Sequence, residues 1–160
     1  MRFGTRTELK RKWTPPGHRP KAPIRIGYAF AYLYVALCPF SGEIFAMSLP
    51  FMNKACFQLF VQQWQETLTE PTLLVADRAS THQVRLLKDT VITLQHLPTA
   101  CPELNPVERF FEELRSRLAN HVFDSLQQAE EQVIKAVKEF LDEPLKVVSL
   151  TNYDYLSNSS

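Results

Sequence analysis

Cysteine is scarce in this sequence: Cys38, Cys56 and Cys101 are odd in number and widely spaced. That pattern disfavours a disulfide framework and a zinc site, and suits reduced cytosolic thiols. The four histidines, His18, His82, His96 and His121, show no metal-ligand spacing. Residues 26–42 are uncharged, but the stretch is too short and too broken by Gly and Pro to span a bilayer. There is no signal peptide, low-complexity segment or internal repeat, and no side-chain constellation for a covalent nucleophile. The net charge of +1 does not by itself announce a nucleic-acid partner.

What is present is one domain's worth of apolar chain with an uneven charge distribution. At 160 residues and 45% hydrophobic, the chain can bury one core but not two typical ones. Residues 1–25 carry Arg2, Arg6, Lys10, Arg11, Lys12, Arg19, Lys21 and Arg25 against Glu8, a local charge of +7, while the remainder holds −6. Pro15, Pro16, Pro20 and Pro23 argue against a helix in this arm. Such a basic, Pro-rich segment with Trp13 among its charges suits salt-dependent contact with phosphates; a solvated loop of scattered cations is the plainer alternative. The acidic remainder, including Glu130, Glu131, Glu139, Asp142 and Glu143, reads as ordinary surface charge.

The order of elements is that of a mixed α/β domain. Residues 26–37 are rich in aromatic and branched side chains and read as a long strand. Cys38-Pro39-Phe40-Ser41-Gly42 supplies a turn, and 43–49 the returning strand of a hairpin. From Asn53, a plausible cap, to about Leu68, Cys56, Phe57, Phe60, Val61 and Trp64 recur at helical spacing. Thr72-Leu73-Leu74-Val75-Ala76 reads as a buried strand delivering Asp77 at its end. A short helix over 81–88, a strand over 91–94, a helix opened by Asn105 and another over 125–141 complete the series. A helical piece follows Pro144, and the tail 157–160 is expected to be loose.

Asn105-Pro106-Val107-Glu108 is a strong helix opening, with Asn as N-cap, Pro at the first helical position and Glu at the third, where its carboxylate can reach back to the cap amide. Read alone, Glu108 is a cap residue, and Asp77 a strand terminator ahead of Ser80 or Thr81.

In combination the residues resemble the catalytic domain of the DDE transposases of the mariner superfamily, in its bacterial insertion-sequence branch. The resemblance rests on Arg2-Phe3-Gly4, Trp13-Thr14-Pro15-Pro16-Gly17, Asp77-Arg78-Ala79-Ser80-Thr81-His82 and, most specifically, Pro102-Glu103-Leu104-Asn105-Pro106-Val107-Glu108-Arg109-Phe110-Phe111. It implies an α/β, ribonuclease-H-like fold, a mixed sheet flanked by helices, with the whole of 1–160 forming one catalytic domain. It also implies Asp77 and Glu108 as catalytic metal ligands, with His82, Glu103 and Asn105 in support. Arg6, Lys10, Arg11, Lys12, Arg19, Lys21 and Arg109 are the candidate DNA-binding cations. The implied cofactor is Mg²⁺ or Mn²⁺ in a two-metal site, because paired cations about 3.5 to 4 Å apart stabilise both the attacking and the leaving oxygen of a phosphodiester and hard cations take carboxylate ligands. The implied partners are transposon-end and target DNA, with a homo-oligomer or a complementing N-terminal fragment; no membrane is involved. The setting would be a bacterial cytoplasm, at the nucleoid.

The sequence departs from the family pattern at the first carboxylate. In the family it stands in an Asp-Glu pair ahead of a segment like Arg2-Phe3-Gly4, which here falls just before Met1; Glu8 and Glu43 do not occupy that place. The chain is therefore expected to be N-terminally truncated, without the family's upstream helix-turn-helix region, with its first strand largely missing and without competence for transposition alone. Loss of a central strand would leave neighbouring backbone groups unpaired, so the polypeptide is expected to be poorly stable or self-associating. Two alternatives stand beside the enzyme: a non-catalytic remnant that binds DNA or full-length transposase, and an unrelated α/β domain in which Glu108 only caps a helix.

Overall fold

The computed structural model describes residues 1–11, 13–17, 21–80, 82–99, 101 and 104–152, with the backbone alone at 86. Five strands and four helices run in the order β1 (Arg2–Gly4), β2 (Phe30–Leu37), β3 (Ile44–Leu49), α1 (Lys54–Gln65), β4 (Thr72–Ala76), β5 (Ile92–His96), α2 (Pro106–Leu118), α3 (Leu126–Leu141) and α4 (Pro144–Thr151), with a 3-10 turn at Val84–Leu87 between β4 and β5.

The strands form two sheets. β1, β2 and β3 lie side by side in that order, antiparallel throughout, while β4 and β5 pair in parallel. The period-2 alternation of β2 divides its side chains between two cores. Leu33 packs with Phe110, Leu114, Val133, Phe140 and Val147 of α2, α3 and α4, joined by Val35 and Leu37. Tyr34 and Ala36 turn to the opposite face, where Phe57, Phe60 and Val61 of α1 meet Ala76, Ile92 and Leu94 of β4 and β5. Helices thus cover both faces of the three-stranded sheet, whereas β4 and β5 are covered on the α1 side.

The helix starts follow their cap chemistry. The side chains of Asn53, Asn105 and Ser125 accept from the amides of Cys56, Val107 and Gln128, satisfying donors that would otherwise have no intrahelical partner. The second strand is shorter than its composition predicts, beginning at Phe30 instead of residue 26. Thr5 N–H donates to Ala29 O and Thr7 N–H to Arg25 O, so two residues on one side face four on the other and the ladder breaks. A Cβ on Gly27 would collide with Thr5, so the chains approach more closely there than any other residue permits. The helix expected over 81–88 is only the 3-10 turn, and the strand expected over 91–94 extends to His96 because Gln95 and His96 pair with Val75 and Ala76. The tail 157–160 lies outside the described residues, and among those described no helix is long and apolar enough to cross a membrane.

Candidate metal and nucleic-acid site

Asp77 follows directly on β4, so the strand that fills the core with Leu74 and Ala76 also delivers a carboxylate at its open end. Asp77 Oδ1 accepts from the Ala79 amide at 3.1 Å and lies 2.7 Å from His82 Nδ1. His82 packs its ring against Phe57 of α1, with centroids 4.8 Å apart. His96, opposite Ala76 in the parallel ladder, places Nδ1 3.1 Å from Asp77 O. Two imidazoles from different segments thus hold the backbone and carboxylate of one residue. His82 is among the residues expected from the sequence; His96 is not, and the signal that finds it is the β4 and β5 register instead of histidine spacing.

Glu108 stands at the third position of α2, where the helix dipole favours a negative charge. Its carboxylate does not simply close a capping box: it lies 3.9 Å from Arg115, two turns along the same helix face. Met1 completes this corner. Its amino group donates to Leu33 O at 2.7 Å, and burial, then the Arg115 charge, lower its pKa to about 5 against an opposing pull from Glu108. Asn105 is the N-cap of α2, accepting from Val107 N–H at 3.3 Å. Glu103 lies outside the described residues.

Asp77 and Glu108 each occupy a rigid element end but have different immediate partners. Among the described residues no group of three His, Cys, Asp or Glu side chains is placed to hold a metal ion. Each carboxylate taken singly suits a hard divalent cation in donor chemistry, for which water and phosphate oxygens would complete the shell.

Of the expected DNA-contacting cations, Arg6, Arg11 and Lys21 are exposed. Lys10 is engaged: its ammonium donates to Ser116 Oγ and its amide to Asn120 Oδ1 at 3.3 Å. Asn120 also donates from its backbone to Glu8 O at 2.8 Å, and it adopts the left-handed backbone, φ 62°, that Asn tolerates. Arg25 pairs with Asp124 at 2.8 Å. The base of the basic arm is thereby fastened to the connection between α2 and α3, while Trp13 beyond it is fully exposed. Arg109 is paired with Glu112 at 3.4 Å. Lys12 and Arg19 lie outside the described residues.

Comparison with known proteins places these features. A family model described as "DDE superfamily endonuclease" matches residues 1–130. A curated relative, the uncharacterized protein y4pE/y4sA of Sinorhizobium fredii, is 29% identical over 125 residues, covering 76% of this chain and 93% of the relative. Among solved structures, the Mos1 mariner paired-end complex with Mg has a TM-score of 0.62 at 19% identity over 100% of this chain and 54% of that one. The corresponding complex with Mn gives 0.57 at 20% identity, covering 100% and 54%. The Mos1 strand transfer complex gives 0.61 at 19% identity, covering 96% and 53%. The chain therefore spans about half the length of these solved structures. The likeness shows the fold, a ribonuclease-H-like α/β domain as the sequence led us to expect. The match over residues 1–130 carries the family itself: the chain belongs to the DDE superfamily endonucleases.

Proposed function

We propose that this chain is the catalytic part of a transposase, serving metal-dependent cleavage of transposon-end phosphodiesters and strand transfer into target DNA. The observation that carries the reading is the family match across residues 1–130, which contains both Asp77 and Glu108, each at a rigid element end. In this reading Asp77 and Glu108 hold Mg²⁺ or Mn²⁺, which when bound stabilises charge on the attacking and leaving oxygens of the phosphodiester. The Ala79 amide and His82 fix the Asp77 carboxylate, and His96 fixes its backbone. Asn105 sets the first turn of α2 and hence the position of Glu108. Arg115 lies beside Glu108, where it moderates repulsion between that carboxylate and an approaching phosphate. The whole of 1–160 acts as one domain, and Arg6, Arg11 and Lys21 of the arm lie along the DNA backbone.

Support for the cofactor comes from the Mos1 complexes solved with Mg and with Mn. Support for DNA as partner comes from the paired-end complex with left transposon end. The test is nicking of transposon-end DNA by the chain, alone and mixed with full-length transposase, in Mg²⁺ or Mn²⁺. Cation-dependent nicks lost in Asp77→Ala and in Glu108→Ala support the reading. Binding of DNA or transposase with neither nicking nor sensitivity to these substitutions favours the non-catalytic remnant instead.

A further inference from the structure

The cations of this fold divide by what holds them. Arg25, Arg109, Arg115, Arg117 and Lys146 are each paired with a carboxylate. Arg78 and Arg85, both on the connection between β4 and β5, are exposed and have no ion-pair partner among the described residues. Arg78 is the residue after Asp77, yet it does not pair with that carboxylate, whose Oδ1 is engaged by the Ala79 amide and His82.

Arg78 is fastened in another way. Its Nε donates to Leu97 O at 3.2 Å, and Leu97 N–H donates to Ala76 O at 2.8 Å. The backbone of Leu97, just beyond β5, thus links the end of β4 to the guanidinium that follows it. A guanidinium is a planar fork of N–H donors; in Arg78 the Nε–H is engaged, while the two terminal nitrogens have no partner among the described residues. The fork is therefore restrained at a rigid sheet end with its charge unneutralised. Ordering so long a side chain costs conformational entropy, and a fork already ordered binds an anion with less further loss.

The place and the donor geometry specify the anion. Asp77 and Arg78 are consecutive, but the bond to Leu97 draws the guanidinium to the β5 side, beside the carboxylate instead of onto it. Two parallel N–H donors match the oxygens of a phosphodiester better than a point charge does. We propose that Arg78 is a phosphate-binding residue of the nucleic-acid site, gripping the phosphodiester next to the one held by the cation at Asp77. The proposal rests on the reading in which Asp77 holds that cation. Contacts to phosphate fix the register of a nucleic acid without reading its bases, so Arg78 sets which phosphodiester meets the cation. Arg85, with no such anchor, supplies general positive charge.

Arginine footprinting tests this on the full chain. Phenylglyoxal modifies accessible guanidinium groups, and mass spectrometry reads the rate at each arginine. With a saturating DNA duplex in Mg²⁺, modification of Arg78 is expected to slow at least about tenfold, and that of Arg85 much less. The same duplex built with neutral methylphosphonates should leave Arg78 unprotected. In parallel, Arg78→Gln removes a charge-assisted bond and should lower affinity for the phosphodiester duplex about tenfold, whereas Arg85→Gln, the same loss of charge, should lower it clearly less. Equal reaction of Arg78 with and without DNA would overturn the proposal, and continued nicking in Mn²⁺ by the same chain would show that the catalytic reading stands without it. Protection by the methylphosphonate duplex, or equal losses in the two variants, would overturn it as well. Protection of Arg78 by the phosphodiester duplex alone, in a chain that does not nick, would sustain the phosphate contact and remove the catalytic reading.

Discussion

His82 Nδ1 lies 2.7 Å from Asp77 Oδ1, while the same ring rests on Phe57 of α1. The candidate metal ligand at the end of β4 is thus oriented by a side chain that is itself anchored in the α1 core.

Removing that support should weaken cation binding without unfolding the domain. Partners that orient a ligand typically carry about tenfold or more in metal affinity, so His82→Ala is expected to lower Mn²⁺ affinity about tenfold, with Asn at this position recovering part of it. Calorimetric titration with Mn²⁺, alongside circular dichroism, measures this. Unchanged affinity in a folded His82→Ala variant would show that His82 serves packing alone.

The Met1 amino group gives the chain a predictable pH dependence. Its pKa is lowered from 8.0 to about 5 in the fold, so between these values the unfolded chain binds a proton that the folded chain does not. The associated stability is fully present above pH 8 and is lost as pH falls through about 5, amounting to as much as about 4 kcal/mol. Urea midpoints should rise from pH 5 to pH 8, and acetylation of the amino group should flatten the rise. A flat profile for the unmodified chain would contradict the burial.

Phe110 is fully buried and meets Phe140 edge-on, with centroids 5.0 Å apart. Phe110→Ala should cost about 3 to 5 kcal/mol by urea denaturation. Leu145→Ala, at a side chain 82% exposed, should change stability by less than about 0.5 kcal/mol. Similar losses for the two would misplace the core.

DNA binding through the arm should be strongly salt-dependent. Replacing Arg6, Arg11 and Lys21 by Ala is expected to reduce the slope of log affinity against log salt by about 0.9 for each phosphate that is no longer neutralised. An unchanged slope in fluorescence anisotropy titrations would place the DNA elsewhere.

Much of this architecture is legible in the sequence because local chemistry and burial agree. Asn105, Pro106 and the stripe Val107, Phe110, Phe111 and Leu114 define α2 through capping and spacing alone, and the run 72–76 places Asp77 at a strand end. Less legible are features that depend on partners far along the chain. β1 is three residues long, too short to show a period, and exists through pairing with residues about thirty positions away. The fastening of Lys10 and Glu8 to Asn120 joins segments more than a hundred residues apart. His96 acquires its role from a strand register, and Arg115 from a turn spacing on a helix whose first purpose is to pack Phe110 and Leu114. The late start of β2 follows from the close approach of Gly27 to Thr5, which composition alone does not reveal.

The central claim is that Asp77 and Glu108 bind one cation site, and iron-directed backbone cleavage tests it most directly. Fe²⁺ replacing Mg²⁺, with ascorbate and peroxide, generates radicals that cut the chain beside the bound metal. The account predicts cuts near residues 77 and 108 together, suppressed by excess Mg²⁺ and by either Asp77→Ala or Glu108→Ala. Cuts confined to one of these positions, or insensitive to both substitutions, would contradict it.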